Sequence, residues 1–154
     1  MKVIGLIVAL GACFGIAALG SAFTVPALAH WYAGIRKPSW TPPSWLFGPV
    51  WTSLFVMMAV AVWLVWLRVG IFGAPAAFAL FAGQLALNAV WSALFFGLRN
   101  PGAAFVEVVF FWFTIAATAL AFARIDPLAA LLLVPYLMWV TFAAVLNFAI
   151  WRLN

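Results

Sequence analysis

Few side chains in this sequence could do chemistry. Gln84, Asn88 and Asn147 are amides, and each lies inside a long apolar stretch. A polar group in a bilayer is costly unless it faces the bundle interior and finds a partner, so these three amides are expected to point inward. Their neighbours repeat at helical spacing. Gln84, Asn88, Trp91 and Phe95 fall on one face at i, i+4, i+7 and i+11, as do Trp51, Phe55, Met58 and Val62. Tyr136, Trp139, Ala143 and Asn147 share a third face. Aromatic faces carrying a few amides are the usual composition of a small-molecule pocket. The same residues also fit a structural role, with amides bonding across helices and indoles anchored at the membrane interface. The spacing alone leaves both readings open.

The remaining reactive groups are isolated. Glu107 is the one acid within an apolar span, early in its segment, where a helix dipole favours a carboxylate and Arg99 is within reach. That reads as a structural acid; the sharper alternative is proton-coupled transport, although transporters carry more polar midplane residues and visible repeats. His30 beside Trp31 could ligate haem iron, but a single interfacial imidazole is more often simply solvated. No triad, phosphate loop or metal-ligand cluster occurs, and Glu107 and Asp126 are the two acids of the whole chain. Acid–base enzymology has little to work with, so no metal and no obligatory cofactor is expected. Cys13, the single cysteine, excludes an intrachain disulfide and reads as a small buried thiol.

The elements that must hold these residues are apolar spans. The 154 residues are 70% hydrophobic and 6% charged, against roughly a quarter charged in soluble domains. The spans are expected at about 3–25, 45–67, 76–98, 102–123 and 128–151. Each is long enough to cross a hydrocarbon core of about 30 Å. The fold class is therefore an all-α integral membrane protein, a single five-helix bundle. Lys2, an apolar run and then Ala27-Leu28-Ala29 resemble a signal peptide with a cleavage site, but the 23 apolar residues of Val3–Val25 exceed the roughly 7–15 of a signal core, so the run is read as a retained span. Pro26 is expected to end it. Short linkers predict that successive helices are antiparallel neighbours. The net charge of +5 comes from basic residues scattered at span ends, as topology signals are, which points to the lipid bilayer and not nucleic acid as partner. With Arg36, Lys37, Arg99 and Arg152 against Lys2, Arg68 and Arg124, the count weakly favours the connector side as cytoplasmic. Small-residue pairs, Gly11/Gly15 on the first span and Ala79/Gly83 and Ala82/Ala86 on the third, permit close helix contact within the bundle or between subunits.

One long stretch interrupts the apolar pattern. Trp31 to Trp51, WYAGIRKPSWTPPSWLFGPVW, holds four Trp and four Pro in 21 residues. Its prolines argue against a continuous helix, and its stiffness and flat rings suggest a lid over the bundle.

This stretch carries a family resemblance. Trp31-Tyr32-Ala33-Gly34-Ile35-Arg36-Lys37-Pro38-Ser39-Trp40-Thr41-Pro42-Pro43 and Gly48-Pro49-Val50-Trp51-Thr52-Ser53-Leu54-Phe55 resemble the tryptophan-rich sensory protein family, TspO/MBR. So do Gly83-Gln84-Leu85-Ala86-Leu87-Asn88-Ala89-Val90-Trp91, Phe95-Phe96-Gly97, Pro135-Tyr136-Leu137-Met138-Trp139 and Leu146-Asn147. The resemblance implies a five-helix bundle, commonly a homodimer, with a cavity beneath the first loop. It implies a receptor or sensor for porphyrins such as protoporphyrin IX or haem, and for other flat hydrophobic small molecules. Light-dependent porphyrin degradation, or porphyrin or sterol transport, are the alternatives. Ligand contacts implied by motif are Trp31, Tyr32, Pro42, Phe47, Gly48, Trp51, Asn88, Trp91, Trp139, Ala143, Leu146 and Asn147. Trp51 and Trp139 match the indoles that the family associates with porphyrin breakdown. The stripe at Ala79 and Gly83 lies where bacterial relatives are expected to dimerise. Near the C-terminus Phe148 stands where the sterol consensus needs Tyr, so no cholesterol function is expected. Ala103 stands where some animal members carry an aromatic. An Ala-rich chain without a mitochondrial transit pattern suggests a bacterial multi-pass membrane protein, with inner and outer membrane both open.

Overall fold

Proline and polar caps set most of the helix boundaries. The computed structural model describes residues 1–154 and contains five long helices: α1 (Lys2–Ala27), α2 (Phe47–Val69), α3 (Pro75–Ser92), α4 (Pro101–Ala123) and α5 (Pro127–Leu153). Pro75, Pro101 and Pro127 each open a helix at its first position, where a missing N–H has no intrahelical partner to lose. The Asn100 side chain accepts from Ala103 N–H, and Asp126 accepts from Leu128 and Ala129 N–H, which caps α4 and α5. All five segments are long and apolar enough to cross a membrane. The chain is a multi-pass integral membrane protein.

One helix end differs from the sequence reading. Pro26 does not end the first span. It sits inside α1, and the chain continues through a π-helical turn, Leu28–Tyr32. Proline removes one N–H, and a local widening of the turn re-satisfies the freed backbone groups. Trp31 and Tyr32 are therefore carried on the end of α1. The irregular connector shrinks to about Ile35–Pro43, followed by the 3₁₀ turn Ser44–Leu46, with Pro49 accommodated in the first turn of α2. A second π turn, Ala93–Gly97, closes α3. There Leu98 N–H bonds to Ala93 O at 2.7 Å and Asn100 N–H to Leu94 O at 3.0 Å, while Arg99 takes φ 55°, the left-handed conformation that commonly stops a helix.

The helices close into a ring in the order α1–α2–α5–α4–α3, with α3 back against α1. The expectation that successive helices are neighbours fails for α2 and α3. Their five-residue linker can reach ~17 Å, whereas non-adjacent axes in a five-membered ring spaced at 8–10 Å lie about 15 Å apart. The linker is long enough for the diagonal. Glycine sets the tightest approaches of α1. A Cβ at Gly20 would lie 3.2 Å from Ser92 Oγ, and one at Gly97 would lie 2.8 Å from the Phe23 ring. Gly5 packs on Trp66, and Trp63 Nε1 donates to Lys2 O at 2.8 Å. Gly11 and Gly15 face outward with nothing near them, so their stripe makes no contact inside the bundle.

The half of the bundle away from the connector is solid. Met58, Ala61, Val65, Ile115, Phe122, Ala129 and Leu133 are buried there in one apolar cluster, and Arg68 Nε closes that end with a 2.9 Å bond to Asp126. The connector half is hollow.

Candidate functional site

The inward amides form two polar crossings between helices. Tyr136 Oη donates to Gln84 Oε1 at 2.7 Å and accepts from Asn88 Nδ2 at 3.1 Å, joining α5 to α3. Gln84 Nε2 also rests 3.6 Å from Met58 Sδ of α2. Nearer the connector, Trp91 Nε1 donates to Asn147 Oδ1 at 3.0 Å, and Asn147 Nδ2 donates to Pro101 O at 2.7 Å. These bonds tie α3, α5 and the start of α4 together. They are the structural role anticipated for the amides.

A cavity of about 450 Å³ lies on the connector side of the first crossing. That volume falls within the usual range for small-molecule pockets. The two readings of the sequence therefore coexist, because Asn88 and Asn147 both link helices and border the cavity. Tyr32, Phe47, Gly48, Trp51, Asn88, Trp91, Trp139, Ala143, Leu146 and Asn147 all line it. Two of the anticipated residues do not. Trp31, on the π turn, packs edge-on against Phe95 at 5.6 Å, behind the wall. Pro42 sits in the connector above, half-buried.

The sequence reading missed the α1 side entirely. Phe14, Ala17, Gly20, Ser21, Thr24 and Leu28 line the cavity, with the helical spacing 14, 17, 21, 24 and 28. Ser21 and Thr24, the two hydroxyls within that apolar span, were the available signal. No residue of α4 reaches the cavity. Glu107 lies in α4, both its oxygens are enclosed without a hydrogen-bond partner, and it makes no ion pair with Arg99. His30 is exposed on the first π turn, outside the lining. No group of three His, Cys, Asp or Glu could hold a metal ion.

Aromatic rings give the cavity its shape. Phe47 sits between Tyr32 at 6.3 Å and Trp139 at 6.1 Å, both edge-on. Trp51 meets Tyr136 edge-on at 6.2 Å, and Trp91 stacks on Phe95 at 5.2 Å. Tyr32 Oη and Trp139 Nε1 have no hydrogen-bond partner although both are buried. The connector is fastened over this end. Asn154 Oδ1 accepts from Arg36 N–H at 3.0 Å, and its Nδ2 donates to Arg36 O at 2.8 Å. Lys37 Nζ donates to Tyr32 O and Ile35 O and lies 4.8 Å from the Tyr32 ring centroid. Trp40 packs edge-on against Phe142 at 5.8 Å. Such a site can enclose and stack on a flat apolar molecule. It offers no acid–base pair.

Known proteins share this pattern along nearly the whole chain. The TspO/MBR family pattern matches residues 7–152. The chain is 45% identical over 161 residues to the tryptophan-rich protein TspO of Chlorobaculum tepidum, covering 99% of this chain and 98% of that one. It is 48% identical over 127 residues to the translocator protein of Sus scrofa, covering 81% and 75% respectively. It is also 41% identical over 143 residues to the tryptophan-rich sensory protein of Cereibacter sphaeroides, covering 90% and 88%. With five membrane-spanning helices, the tryptophan-rich connector and this breadth of identity, the chain belongs to the TspO/MBR family.

Proposed function

We propose that this membrane protein is a receptor or sensor for flat hydrophobic ring systems, foremost porphyrins of the protoporphyrin IX type or haem. The observation that carries the reading is the cavity wall, where Trp51, Trp91, Trp139, Phe47 and Phe95 surround about 450 Å³ with few polar fixing points. Two relatives are named a sensory protein and a translocator protein, which agrees with a sensing or receptor role. No cofactor is required for that role; the porphyrin is the ligand. The working form is a homodimer through the exposed stripe at Ala79, although Gly83 is half turned toward α4, where its Cβ would lie 3.9 Å from Thr114 Cγ2.

The test is a dark titration of purified protein with protoporphyrin IX, followed by quenching of Trp fluorescence. Saturable one-to-one quenching is expected. Trp139→Phe should weaken it about 2–10-fold, since one aromatic stacking contact contributes ~0.5–1.5 kcal/mol. Quenching that rises without saturation would refute the reading. Because Trp51 and Trp139 both border the cavity, light-dependent degradation is the second reading. Illuminating the same sample in air separates the two: a receptor returns an unchanged porphyrin spectrum, whereas a degradative site bleaches it in a manner lost with Trp51→Phe.

A further inference from the structure

We propose that the cavity is loaded sideways, from the hydrocarbon of the connector-side leaflet, through a gap between α1 and α2, so that its ligands are compounds dissolved in the bilayer and not in water. This rests on the reading of the cavity as a binding site and adds the route and the ligand class.

The cavity's boundaries differ sharply in how they are sealed. Above, the connector is held by the paired bonds of Asn154 to Arg36, by Lys37 on the end of α1 and by Trp40 on Phe142. On the α3 side, α1 fits without slack, because Gly20 meets Ser92 and Gly97 meets Phe23 at distances that leave no room for a Cβ without a shift. Toward α2 the same stretch of α1 is open. Ala18, Ser21 and Val25 line the cavity and are largely exposed, as are Ser44, Gly48 and Thr52 across the gap. The cavity is not fully enclosed, and this run of small, exposed lining residues from both helices marks the seam between α1 and α2 as its opening. The gap is not general to this helix pair. At the other end Gly5 lies against Trp66, so α1 and α2 close there and splay toward the connector.

The rim suits a lipid-facing passage. Its residues are small, and a Cβ at Gly48 would meet nothing within 4 Å. The Thr52 hydroxyl is already bonded to Gly48 O at 2.8 Å, so it presents no unpaired donor to hydrocarbon. Depth agrees as well. About 20 residues of helix span the hydrocarbon, and in α1 (Lys2–Ala27) residues 18–25 fall in the connector-side half of that length.

The test uses protein reconstituted in lipid vesicles, with stopped-flow Trp quenching by protoporphyrin IX dimethyl ester, a membrane-partitioned probe, beside a water-soluble tetrasulfonated porphyrin. Lateral loading predicts that Ser21→Trp slows both association and dissociation of the ester by about tenfold or more, while Asn154→Ala, which frees the connector, leaves both rates unchanged. It also predicts that adding lipid at fixed total ester lowers the observed rate, and that the sulfonated porphyrin fails to enter. Rates that rise in Asn154→Ala and ignore Ser21→Trp would overturn the proposal in favour of access from water. If no porphyrin binds, the functional reading fails, but the gap is still judged by a ligand-free measurement. A nitroxide on Ala17→Cys in a Cys13→Ser background should collide readily with oxygen and poorly with a water-soluble nickel chelate, and Ser21→Trp should lower the oxygen collisions. Preferential contact with nickel, or with neither, would overturn the gap.

Discussion

Replacing Tyr136 by Phe tests the polar crossing beneath the cavity with little change of shape. The ring keeps its edge contacts with Trp51 and Phe111, at 6.2 and 6.0 Å, and only the hydroxyl is lost. Two partners are then abandoned, Gln84 Oε1 and Asn88 Nδ2. Asn88 borders the cavity and can turn to water or ligand there, whereas Gln84 is 1% exposed and does not border it. An unmet buried acceptor costs ~1–3 kcal/mol, and hydrogen bonds between membrane helices average about 0.6 kcal/mol and reach ~1.7. The expected loss is therefore about 2 kcal/mol, most of it at Gln84. At 2–4 °C per kcal/mol for a chain of this size, the melting midpoint should fall by about 4–8 °C. The assay is near-UV circular dichroism of micellar protein at one fixed scan rate, because membrane proteins often unfold irreversibly. Gln84→Leu combined with Tyr136→Phe removes both partners and should recover at least half of the loss. A single variant within about 1 °C of the parent, with a double variant no better than the single, would refute the assigned energetic role of this crossing.

Three further outcomes follow from other parts of the fold. The hydrogen bond from Arg68 Nε, helped by Leu128 and Ala129 N–H, holds the Asp126 carboxyl below its ordinary value. A depressed folded value stabilises above the ordinary range near 3.9 and loses that contribution as pH falls through it. The melting midpoint should accordingly stay level from about pH 7 to 5 and drop below about pH 4, and Asp126→Ala should flatten that acid limb. At Gly73, an added Cβ would stand 1.9 Å from Val69 O, a backbone atom that no rotamer change can move. Gly73→Ala should lower the midpoint by about 4–8 °C, a cost of ~2 kcal/mol. Gly11→Ala, on an open helix face, should leave it level or raise it by the propensity gain of up to ~1 kcal/mol.

The spans were legible because hydropathy and proline punctuation report directly on membrane crossing. The starts of α3, α4 and α5 fell within a residue of expectation, since Pro75, Pro101 and Pro127 mark them. The end of α1 was not legible. A proline removes one donor wherever it stands, and only the neighbouring helices decide whether the chain stops or widens into a π turn. That turn, and its counterpart at Ala93–Gly97, break the 3.6-residue rhythm; Trp31, expected at the cavity from the family motif alone, is carried on the first of them and lies behind the wall. The cavity faces of α2, α3 and α5 stood out because indoles and amides contrast with aliphatic neighbours. The α1 face is built from Ala, Gly, Ser and Thr, which contrast with nothing in a span of similar residues. Ring order was also hidden, because a five-residue linker reaches either an adjacent or a diagonal position.

The solid half of the bundle has a consequence for direction. A hollow that ends on the Tyr136 crossing, with Met58, Val65, Phe122 and Leu133 packed behind it, is a cup and not a conduit. Whatever fills it must leave by the way it came, and carrying a molecule to the opposite face would require dismantling that packed half. Filled from the bilayer as proposed, such a vessel would equilibrate with one leaflet. On the proposed receptor reading, its occupancy follows how much of a compound is dissolved there, and it registers an amount.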